Sequence, residues 1–471
     1  MSLINYELEP KSDIAFVDMK SFYASVECVE RGLHPLTTSL CVMSRADNST
    51  GLILASSPTF KKVFGKENVS RAYDLPFYVD TRKFNYKRAL QQGLPITPTF
   101  VKYIEDWAKR TLFVPPRMSV YILKNLEVQR IFHNYAAPED ICPYSIDEGF
   151  IDLTQSLNYF LPDPQLSRKK KLDIVSAKIQ HDIWQTTGIY STVGMSNANP
   201  LLAKLALDNE AKTTETMRAN WSYEDVCTKV WSLPKLTDFW GIGRRTAAHL
   251  NRLHIFSIKD LAQSNPDILQ REMGIIGLQL WFHANGVDES NVHMPYRPQS
   301  KGIGNSQILP RNYDKQHEIE LLLAEMAEQV AIRLRKTHQL AQCVSIYIGF
   351  SKEVAQRPLQ GQMKIPPSQL TDDLVAHVKT LFRKHYKGGA VRQIGVRYSK
   401  LSSDEYRITS LFEDADTVEK NYKLQRAIDS IREHHGFVSI QKGSSLLSYS
   451  RAIKRSRLIG GHSAGGLDGL T

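Results

Sequence analysis

The chain has few cysteines and no long apolar run. Its five cysteines, Cys28, Cys41, Cys142, Cys227 and Cys343, are scattered and form no CxxC pair, so the sequence indicates neither a zinc site nor a disulfide framework. No apolar stretch approaches the roughly 20 residues that cross a bilayer, and the polar N-terminus is unlike a signal peptide. We therefore expect a protein of the reducing cytoplasm that has no membrane partner.

Positive charge is what the chain has in excess. It carries 60 Lys and Arg against 49 Asp and Glu in 471 residues, a formal net charge of +11. Excess positive charge attracts polyanions, so nucleic acid is the first partner to consider. At roughly 100–200 residues per domain, the length suggests about three or four domains. Charge alone does not select a function, so the motifs have to.

Two segments place acidic residues at the ends of apolar runs. Residues 13–19 (DIAFVDM) are predicted as a buried strand followed by a helix, so Asp18 lies where the two meet. Residues 142–154 (CPYSIDEGFIDLT) predict a hairpin whose turn carries Asp147 and Glu148. Converging carboxylates can hold two Mg²⁺ ions about 3.5–4 Å apart. Taken alone, however, these acids are better explained as a helix cap and a solvated turn.

Hydrophobic periodicity and breaker residues predict the remaining organisation. Residues 223–295 are predicted to be all-helical, and 413–471 to hold one helix and a loosely ordered end rich in Gly and Arg. Other helices are predicted over about 100–112, 168–187, 201–212 and 316–336, and other strands over 119–125 (SVYILKN), 191–196, 343–350 and 390–401.

The two acidic segments are far more specific together than apart. DMKSFYASVE (18–27), followed about 120 residues later by YSIDEGFIDL (144–153), closely resembles the two catalytic motifs of Y-family DNA polymerases. The resemblance implies that Asp18, Asp147 and Glu148 are catalytic and bind two Mg²⁺ ions, and that the backbone carbonyl of Met19 assists as a metal ligand. It covers most of the chain, from about residue 13 to about 440.

The resemblance also implies an α+β multidomain fold arranged as a right-hand polymerase. The palm would be a mixed sheet with helices, the fingers small, the thumb helical with a helix-hairpin-helix, and the little finger α/β. The implied ranges are 1–36 and 86–222 for the palm, 37–85 for the fingers, 223–295 for the thumb, 296–303 for a linker, 304–412 for the little finger and 413–471 for a C-terminal tail.

The residues after the first strand resemble the family's nucleotide pocket. Tyr23 matches the steric gate, an aromatic ring that leaves no room for a ribose 2′-hydroxyl, and Phe22 stands beside it. The alternative is a purely structural role, in which the helix packs both rings into the core. This alternative fits Phe22 better than Tyr23.

Two further segments resemble the family's contacts to the nucleotide triphosphate. Within LASSPTFKKVFG (54–65), Thr59 and Lys62 fall on the family's triphosphate-binding positions, although both depart from the residues common in the polymerase IV type. Lys62 resembles the polymerase V catalytic subunit, the UmuC type. NPLLAKLALDNEAK (199–212) resembles the helix whose lysine reaches the phosphates, which makes Lys204 the stronger expected ligand.

Residues 236–262 resemble a helix-hairpin-helix. Gly241 and Gly243 would let the turn present backbone N–H groups to a DNA phosphate without reading sequence, and Arg244 and Arg245 would add charge. The alternative is an ordinary glycine turn between two helices.

Residues 304–401 resemble the little finger, which grips the duplex backbone. NSQILP (305–310) and AVRQIGVRYSKL (390–401) are expected as edge strands near the phosphates. Arg392, Arg397 and Lys400 are the candidate contacts, against the alternative of a solvated strand face.

A short segment, RITSLFED (407–414), resembles the sliding-clamp-binding peptide of bacterial polymerases. Leu411 and Phe412 would be its apolar anchors, although the usual leading Gln is replaced by Ile408.

The implied function is low-fidelity, template-directed DNA synthesis from deoxynucleoside triphosphates on primed template DNA, past damaged bases, in DNA repair and the SOS response. Three alternatives stay open. The chain could be a catalytic subunit that needs a processed accessory partner or a recombinase filament, an inactive DNA-binding relative, or a nucleotidyl cyclase with a related palm. The intact acids argue against the inactive relative, and the DNA-binding segments argue against the cyclase.

Overall fold

The computed structural model describes residues 4–44, 51–65, 70–294, 302–405 and 414–463. The chain separates into two compact units, residues 1–116 with 120–295 and residues 117–119 with 296–471. Sheets and many helices make up both units, the sheets of unit 1 being mixed, so the predicted α+β class is confirmed. Across the described ranges, no helix is both long and apolar enough to cross a membrane.

The strands belong to four sheets. In chain order they are β1 (Ile14–Met19), β2 (Leu40–Met43), β3 (Leu52–Ser56), β4 (Ser70–Arg71), β5 (Leu112–Val114), β6 (Ile141–Pro143), β7 (Glu148–Asp152), β8 (Ser191–Ser196), β9 (Arg218–Asn220), β10 (Gly302–Tyr313), β11 (Gln339–Phe350), β12 (Leu359–Ser368), β13 (Val391–Ser399), β14 (Ser402–Ser403), β15 (Leu458–Ile459) and β16 (His462–Ser463).

The α-helices, again in chain order, are α1 (Phe22–Val29), α2 (Pro58–Phe64), α3 (Tyr86–Gln91), α4 (Pro98–Arg110), α5 (Met118–Phe132), α6 (Leu157–Phe160), α7 (Arg168–Thr187), α8 (Pro200–Ala206), α9 (Arg244–Arg252), α10 (Ile258–Gln263), α11 (Pro266–Met273), α12 (Ile275–Ala284), α13 (Gln316–Lys336), α14 (Thr371–His385), α15 (Ala415–His435) and α16 (Ala452–Ser456). Two π-helical turns, Leu207–Ala211 and Val226–Val230, interrupt the regular pattern.

The first sheet of unit 1 has the order β6-β7-β1-β8-β9. Its centre is β1, which pairs antiparallel with β7 on one side and with β8 on the other. The predicted hairpin is confirmed, because β6 and β7 pair antiparallel across the turn that holds Asp147. Since every residue of β1 except Asp18 is buried, the sheet fixes the position at which Asp18 emerges.

The second sheet of unit 1 has the order β4-β3-β2-β5. Helices α2 and α4 cover it and share one core, to which Phe60, Phe64, Ile104 and Ala108 contribute. Because its edge strand is β5, the region built on this sheet reaches residue 114. The sheet therefore includes residues on both sides of position 85, the expected end of the fingers.

The strand predicted over residues 119–125 is wrong. These residues lie in α5, which buries Tyr121, Val128 and Phe132 and leaves Leu123 61% exposed. The buried positions are seven and four residues apart, which is helical spacing. The run SVYILKN is short and apolar throughout, and such a run has no period that separates strand from helix.

Residues 223–294 hold α9 to α12 with short turns and contain no strand, so the all-helical prediction for this region is confirmed over its described part. Its core includes Phe239, Leu250 and Trp281.

The main sheet of unit 2 has the order β10-β13-β11-β12, and α13 and α14 contribute to the core beneath it. The expectation that β10 is an edge strand is confirmed. The same expectation for residues 390–401 is wrong, because β13 pairs with β10 on one side and with β11 on the other. Alternation of apolar residues marks one buried face, but it does not reveal whether both edges of a strand are paired.

The expectation of a loosely ordered end after one helix is wrong as far as residue 463. After α15 the chain forms α16 and the β15–β16 hairpin, and Ala452, Arg455 and Ser456 are buried. Glu325 of α13 anchors this segment, since it accepts hydrogen bonds from Ser450 Oγ at 2.5 Å and from the backbone N–H of Arg451 at 3.0 Å. Long-range hydrogen bonds of this kind have no signature in local sequence.

Candidate active site

Asp18 and Glu148 lie directly opposite each other on β1 and β7. Directly opposed residues in antiparallel strands project to the same face, with Cβ atoms about 4.5–5.5 Å apart. Below them Phe16 and Phe150 form a cross-strand apolar pair, with ring centroids 4.2 Å apart. The predicted strand-and-hairpin pair thus brings two of the three expected acids together at the top of an apolar row.

Asp147, the third acid, is held beside this pair by the turn of the hairpin. Its backbone carbonyl accepts a hydrogen bond from the Met19 N–H at 2.9 Å. Its Oδ1 accepts one from Ser145 Oγ at 2.8 Å. The turn therefore carries Asp147 to the end of β1, next to Asp18.

Like charge is concentrated in this acidic cluster of Asp18, Asp147 and Glu148. Burial, reinforced by the charges of Glu148 and Asp147, raises the pKa of Asp18 to about 7, although Lys212 and Lys204 oppose the shift. Within the described part of the chain, no group of three or more His, Cys, Asp or Glu side chains is arranged as a finished metal site. The cluster thus has the donors and the charge for cations, but its side chains are not in a coordinating arrangement.

Lys204 contacts the acidic cluster from α8. Its Nζ lies 3.4 Å from Glu148 Oε2 and 3.3 Å from Asp208 Oδ2, and the side chain is only 7% exposed. The ammonium also lies 4.6 Å from the centre of the Phe16 ring. The structure therefore places the expected phosphate ligand against the acids.

Lys212, which the sequence reasoning missed, contacts the same cluster. Its Nζ lies 3.6 Å from Asp18 Oδ2 and 2.8 Å from Asp208 Oδ1. Asp208, also missed, thus contacts both lysines. The signal was present in the sequence, because Lys204, Asp208 and Lys212 follow one another at intervals of four residues, the spacing of neighbours on one helix face.

The π-helical turn Leu207–Ala211 is what aligns the two lysines. In a regular α-helix, residues eight positions apart differ by about 80° around the axis. A π turn holds more residues per revolution and so removes most of this offset. Lys212 therefore returns to the face from which Lys204 projects.

On α2, Lys61 rather than Lys62 faces the acids. Burial lowers the pKa of Lys61, while the negative charge of Asp18 opposes that shift and the positive charges of Lys212 and Lys20 add to it. Lys62 is exposed. The hydroxyl of Thr59 donates to the backbone carbonyl of Leu36 at 2.7 Å, so it ties the start of α2 to the loop before β2. The family resemblance pointed to Lys62, whereas the lysine close to Asp18 is its neighbour Lys61.

Lys20 is a further basic residue that the sequence reasoning did not select. Burial lowers the pKa of its ammonium, and the charge of Asp18 partly restores it. Lys20, Lys61, Lys204 and Lys212 thus surround the acidic cluster from three elements and the strand end.

Tyr23 lies at the start of α1, close to Asp147. Burial and the charge of Asp147 raise the pKa of its hydroxyl. Its ring stacks on Tyr121 at 4.4 Å with an interplanar angle of 14°, and Tyr121 in turn donates to Glu27 Oε1 at 2.7 Å. Phe22, by contrast, is 2% exposed and packs in the core. The structure therefore brings Tyr23, but not the Phe22 side chain, to the site.

The glycine turn of the predicted helix-hairpin-helix lies directly before α9. Gly241 has φ of 93°, a left-handed conformation that favours glycine. Gly243 is the N-cap residue of α9 and offers no side chain to the first N–H groups, while Arg244 and Arg245 are exposed. Residues 237–243 and Asp208 line one open groove of about 600 Å³, so the hairpin borders the lysine-bearing helix.

The open face of the unit 2 sheet carries a groove of about 930 Å³ lined largely by small residues. Arg397 is exposed and lies across Gly302, where an added Cβ would come within 2.6 Å of its Nε. Arg392 is half-buried at a register shift, and Lys400 is exposed with φ of 54°. Of the three predicted contacts, Arg397 is the one that crosses this face. Leu411 and Phe412 lie outside the described residues.

Comparison with known proteins identifies relatives along nearly the whole chain. The impB/mucB/samB family profile matches residues 85–208, and the profile of that family's C-terminal domain matches residues 300–411. UvrX of Bacillus subtilis (strain 168), a protein with a suggested role in UV-damage repair, is 34% identical over 461 residues, which cover 98% of this chain and 100% of UvrX. DNA polymerase IV 2 of the same organism is 32% identical over 451 residues, 95% of this chain and 98% of that protein.

A solved structure shares the fold. The chain superposes on a Y-family DNA polymerase chimera built from Dbh and Dpo4 with a TM-score of 0.59 and 20% identity, covering 83% of this chain and 99% of the chimera.

Proposed function

The chain belongs to the Y family of DNA polymerases, and we propose that it extends DNA primers on a template, past damaged bases and with low fidelity, by two-metal phosphoryl transfer. The observation that carries the mechanism is the opposition of Asp18 and Glu148 on neighbouring strands, with Asp147 beside them and lysines around them. Acids of this kind bind cations, and lysines of this kind bind a polyphosphate.

Two Mg²⁺ ions are the proposed cofactors. Asp18, Asp147 and Glu148, with the carbonyl of Met19, would hold them, because carboxylate and carbonyl oxygens are the hard donors that Mg²⁺ prefers. The fit rests on the donor set, since Asp18 and Glu148 lie opposite each other on paired strands and the hairpin turn holds Asp147 beside the end of β1. When bound, such ions activate the primer 3′-hydroxyl and stabilise the leaving pyrophosphate.

The residues of the chain supply binding and selection. Three lysines, Lys212, Lys61 and Lys20, interact electrostatically with Asp18. They can therefore bind a triphosphate delivered to the acids. Lys204 contacts the cluster at Glu148. The Tyr23 ring, fixed by its stacking on Tyr121, would lie against the sugar and exclude a 2′-hydroxyl.

Template DNA would be held without reading its sequence. The N–H groups at the start of α9 and the exposed Arg244 and Arg245 offer phosphate contacts. The open sheet face of unit 2, with Arg397 across it, offers a second backbone contact. Contacts of this type suit an enzyme that must copy any template.

Domain roles follow from this assignment. The sheet that contains β1 would be the palm, the sheet of β2 to β5 the fingers, residues 223–294 the thumb and unit 2 the little finger. The fingers so defined reach residue 114, beyond the limit of 85 expected from the sequence.

Replication partners belong to the same proposal. The clamp-binding role of Leu411 and Phe412 rests on the resemblance of residues 407–414 alone. Deleting residues 407–412 should abolish stimulation by a sliding clamp and leave unstimulated synthesis intact. A processed accessory subunit, a recombinase filament and an SOS role rest on the resemblance to the UmuC type.

Primer extension with the purified protein, Mg²⁺ and a primed template tests the proposal. We expect extension on intact and on damaged templates, and none by the Asp147→Ala/Glu148→Ala variant or after chelation of Mg²⁺. If only intact templates are copied, the damage-bypass part is wrong. If no template is copied, with or without a clamp or an accessory subunit, the polymerase proposal is wrong and an inactive DNA-binding relative is favoured.

A further inference from the structure

A row of aromatic rings crosses the surface formed by α3 and α4. Ring centroids are 5.0 Å apart for Tyr86 and Phe84, 6.3 Å for Phe84 and Phe100, and 6.4 Å for Phe100 and Tyr103. Phe84 is buried and Phe100 half-buried, whereas Tyr86 is 55% and Tyr103 45% exposed. This aromatic ridge, as we call these four residues, presents a tyrosine to solvent at each end.

Local capping and a cross-link between the helices hold the ridge in place. Asn85 caps α3 by accepting a hydrogen bond from the Arg88 N–H, and Thr97 caps α4 by accepting one from the Phe100 N–H. The Phe84 N–H donates to Glu105 Oε1 of α4 at 3.0 Å. Because the rings are already fixed, a ligand that stacks on them loses little affinity to ordering the protein.

Positive charge accompanies both exposed tyrosines. Residues 82–110 contain seven Lys and Arg and only two acids, Glu105 and Asp106, and each acid lies 3.9 Å from a lysine. Lys87 follows Tyr86 and Lys102 precedes Tyr103. Both lysines are exposed, and neither has an acidic group within 4 Å among the residues that the structure describes.

This composition fits single-stranded nucleic acid better than a protein partner. Successive bases stack on aromatic rings while cations follow the phosphates, and such binding tolerates any sequence. Protein interfaces share the aromatic enrichment but are depleted in lysine. The pairing of each exposed ring with an unpaired lysine therefore favours the nucleic acid.

The position of the ridge suggests which strand it takes. Helix α4 packs on α2 through the core that holds Phe60 and Ile104, and α2 carries Lys61, whose charge interacts with Asp18. We propose that the aromatic ridge, with Lys87 and Lys102, binds the unpaired template strand ahead of the primer terminus. This inference rests on the proposed polymerase function.

Template overhang length gives the test. Single-strand sites of this kind take about 4–16 nucleotides, so an overhang of about 20 nucleotides reaches the ridge and one of about 2 does not. Primer extension at limiting DNA compares three proteins: the unsubstituted protein, the Tyr86→Ala/Tyr103→Ala variant and a matched control, Tyr159→Ala. Tyr159 is 83% exposed on α6 and lies outside the ridge.

We expect the unsubstituted protein to extend the primer with the long overhang about 5-fold or more faster than the one with the short overhang, because base stacking on a single ring would give that difference. The double variant should lose this preference and copy the short-overhang template normally. Tyr86→Phe/Tyr103→Phe, which keeps both rings, should restore it, and Tyr159→Ala should not change it.

The inference is overturned if the double alanine variant keeps the preference for the long overhang, and this result would point to a protein partner for the ridge. It is also overturned if the unsubstituted protein shows no such preference. Failure on both overhangs by the unsubstituted protein is a different result, since it contradicts the polymerase activity and not the ridge. Fluorescence anisotropy with labelled oligo(dT) reports binding by the same variants without any synthesis, so the two failures are separable.

Discussion

Lys212 places its ammonium 3.6 Å from Asp18 Oδ2, the nearest approach of a lysine to that carboxylate among the ion pairs of the described residues. This relationship adds to the expected triphosphate contacts. The sequence pointed most strongly to Lys204, which lies against the acids, and also to Lys62, which is exposed. We propose Lys212 as a further contact.

Lys212→Ala should raise the KM for deoxynucleotides about 10-fold or more, because a hydrogen bond to a charged group contributes roughly 1.5–3 kcal/mol. Lys62→Ala is the matched control and should change KM less than about 2-fold, as a solvated charge does. Steady-state primer extension at varied nucleotide concentration measures both. Equal effects of the two substitutions would return the assignment to Lys62.

Tyr23→Ala should raise ribonucleotide incorporation relative to deoxynucleotide incorporation, because the ring that fills the space beside the sugar is gone. The change should lie within the roughly 10- to 200-fold range by which a filled or emptied pocket alters discrimination. Single-nucleotide incorporation with paired ribo- and deoxynucleotides measures it. Tyr23→Phe keeps the ring and should keep the discrimination. Unchanged sugar selection in Tyr23→Ala would refute the role.

Gly194→Ala should destabilise unit 1. A Cβ at Gly194 in β8 would lie 2.0 Å from the carbonyl oxygen of Ala203 and 2.5 Å from Leu207 Cβ, so α8 would have to move off the sheet. Overpacking of this kind costs about 1–3 kcal/mol or more. Thermal denaturation should show a lower Tm. The control is Gly443→Ala, since a Cβ there meets nothing within 4 Å. A normal Tm for Gly194→Ala would contradict the packing described.

Arg397→Ala should weaken duplex DNA binding on all sequences alike and lower the salt dependence of log Kd by about one charge. Arg392→Ala, in the same strand but half-buried at a register shift, should do less. Titrations of labelled duplex at several salt concentrations measure both. A larger effect from Arg392 would contradict the assignment of Arg397 as the main DNA contact of this strand.

Local pattern predicted the apolar strand that ends near Asp18 and the hairpin that carries Asp147 and Glu148. It did not predict that β1 pairs with β7, and this pairing is what brings the acids together. The grouping was predicted only because the two motifs together resemble those of the polymerase family. Tyr23, four residues after the end of the same apolar run, was predicted from the same resemblance.

What the sequence did not reveal depends on contacts or on helix geometry. Lys61 and Lys62 are adjacent, and only the direction of α2 decides which of them faces Asp18. Lys212 needs the π turn to return to the site. Whether residues 390–401 form an edge depends on which strands pair with them, and no local pattern encodes that.

The π turn also means that this helix should tolerate the loss of one residue but not of two. Removing a single residue between Asp208 and Lys212 would let the turn become regular α-helix, and the two lysines would then stand seven residues apart, close to two full turns. Both would still project toward the acids. Removing two residues would rotate Lys212 by about a further 100° and turn it away. A deletion of one residue at this point should therefore leave both lysines at the acids, whereas a deletion of two residues should not.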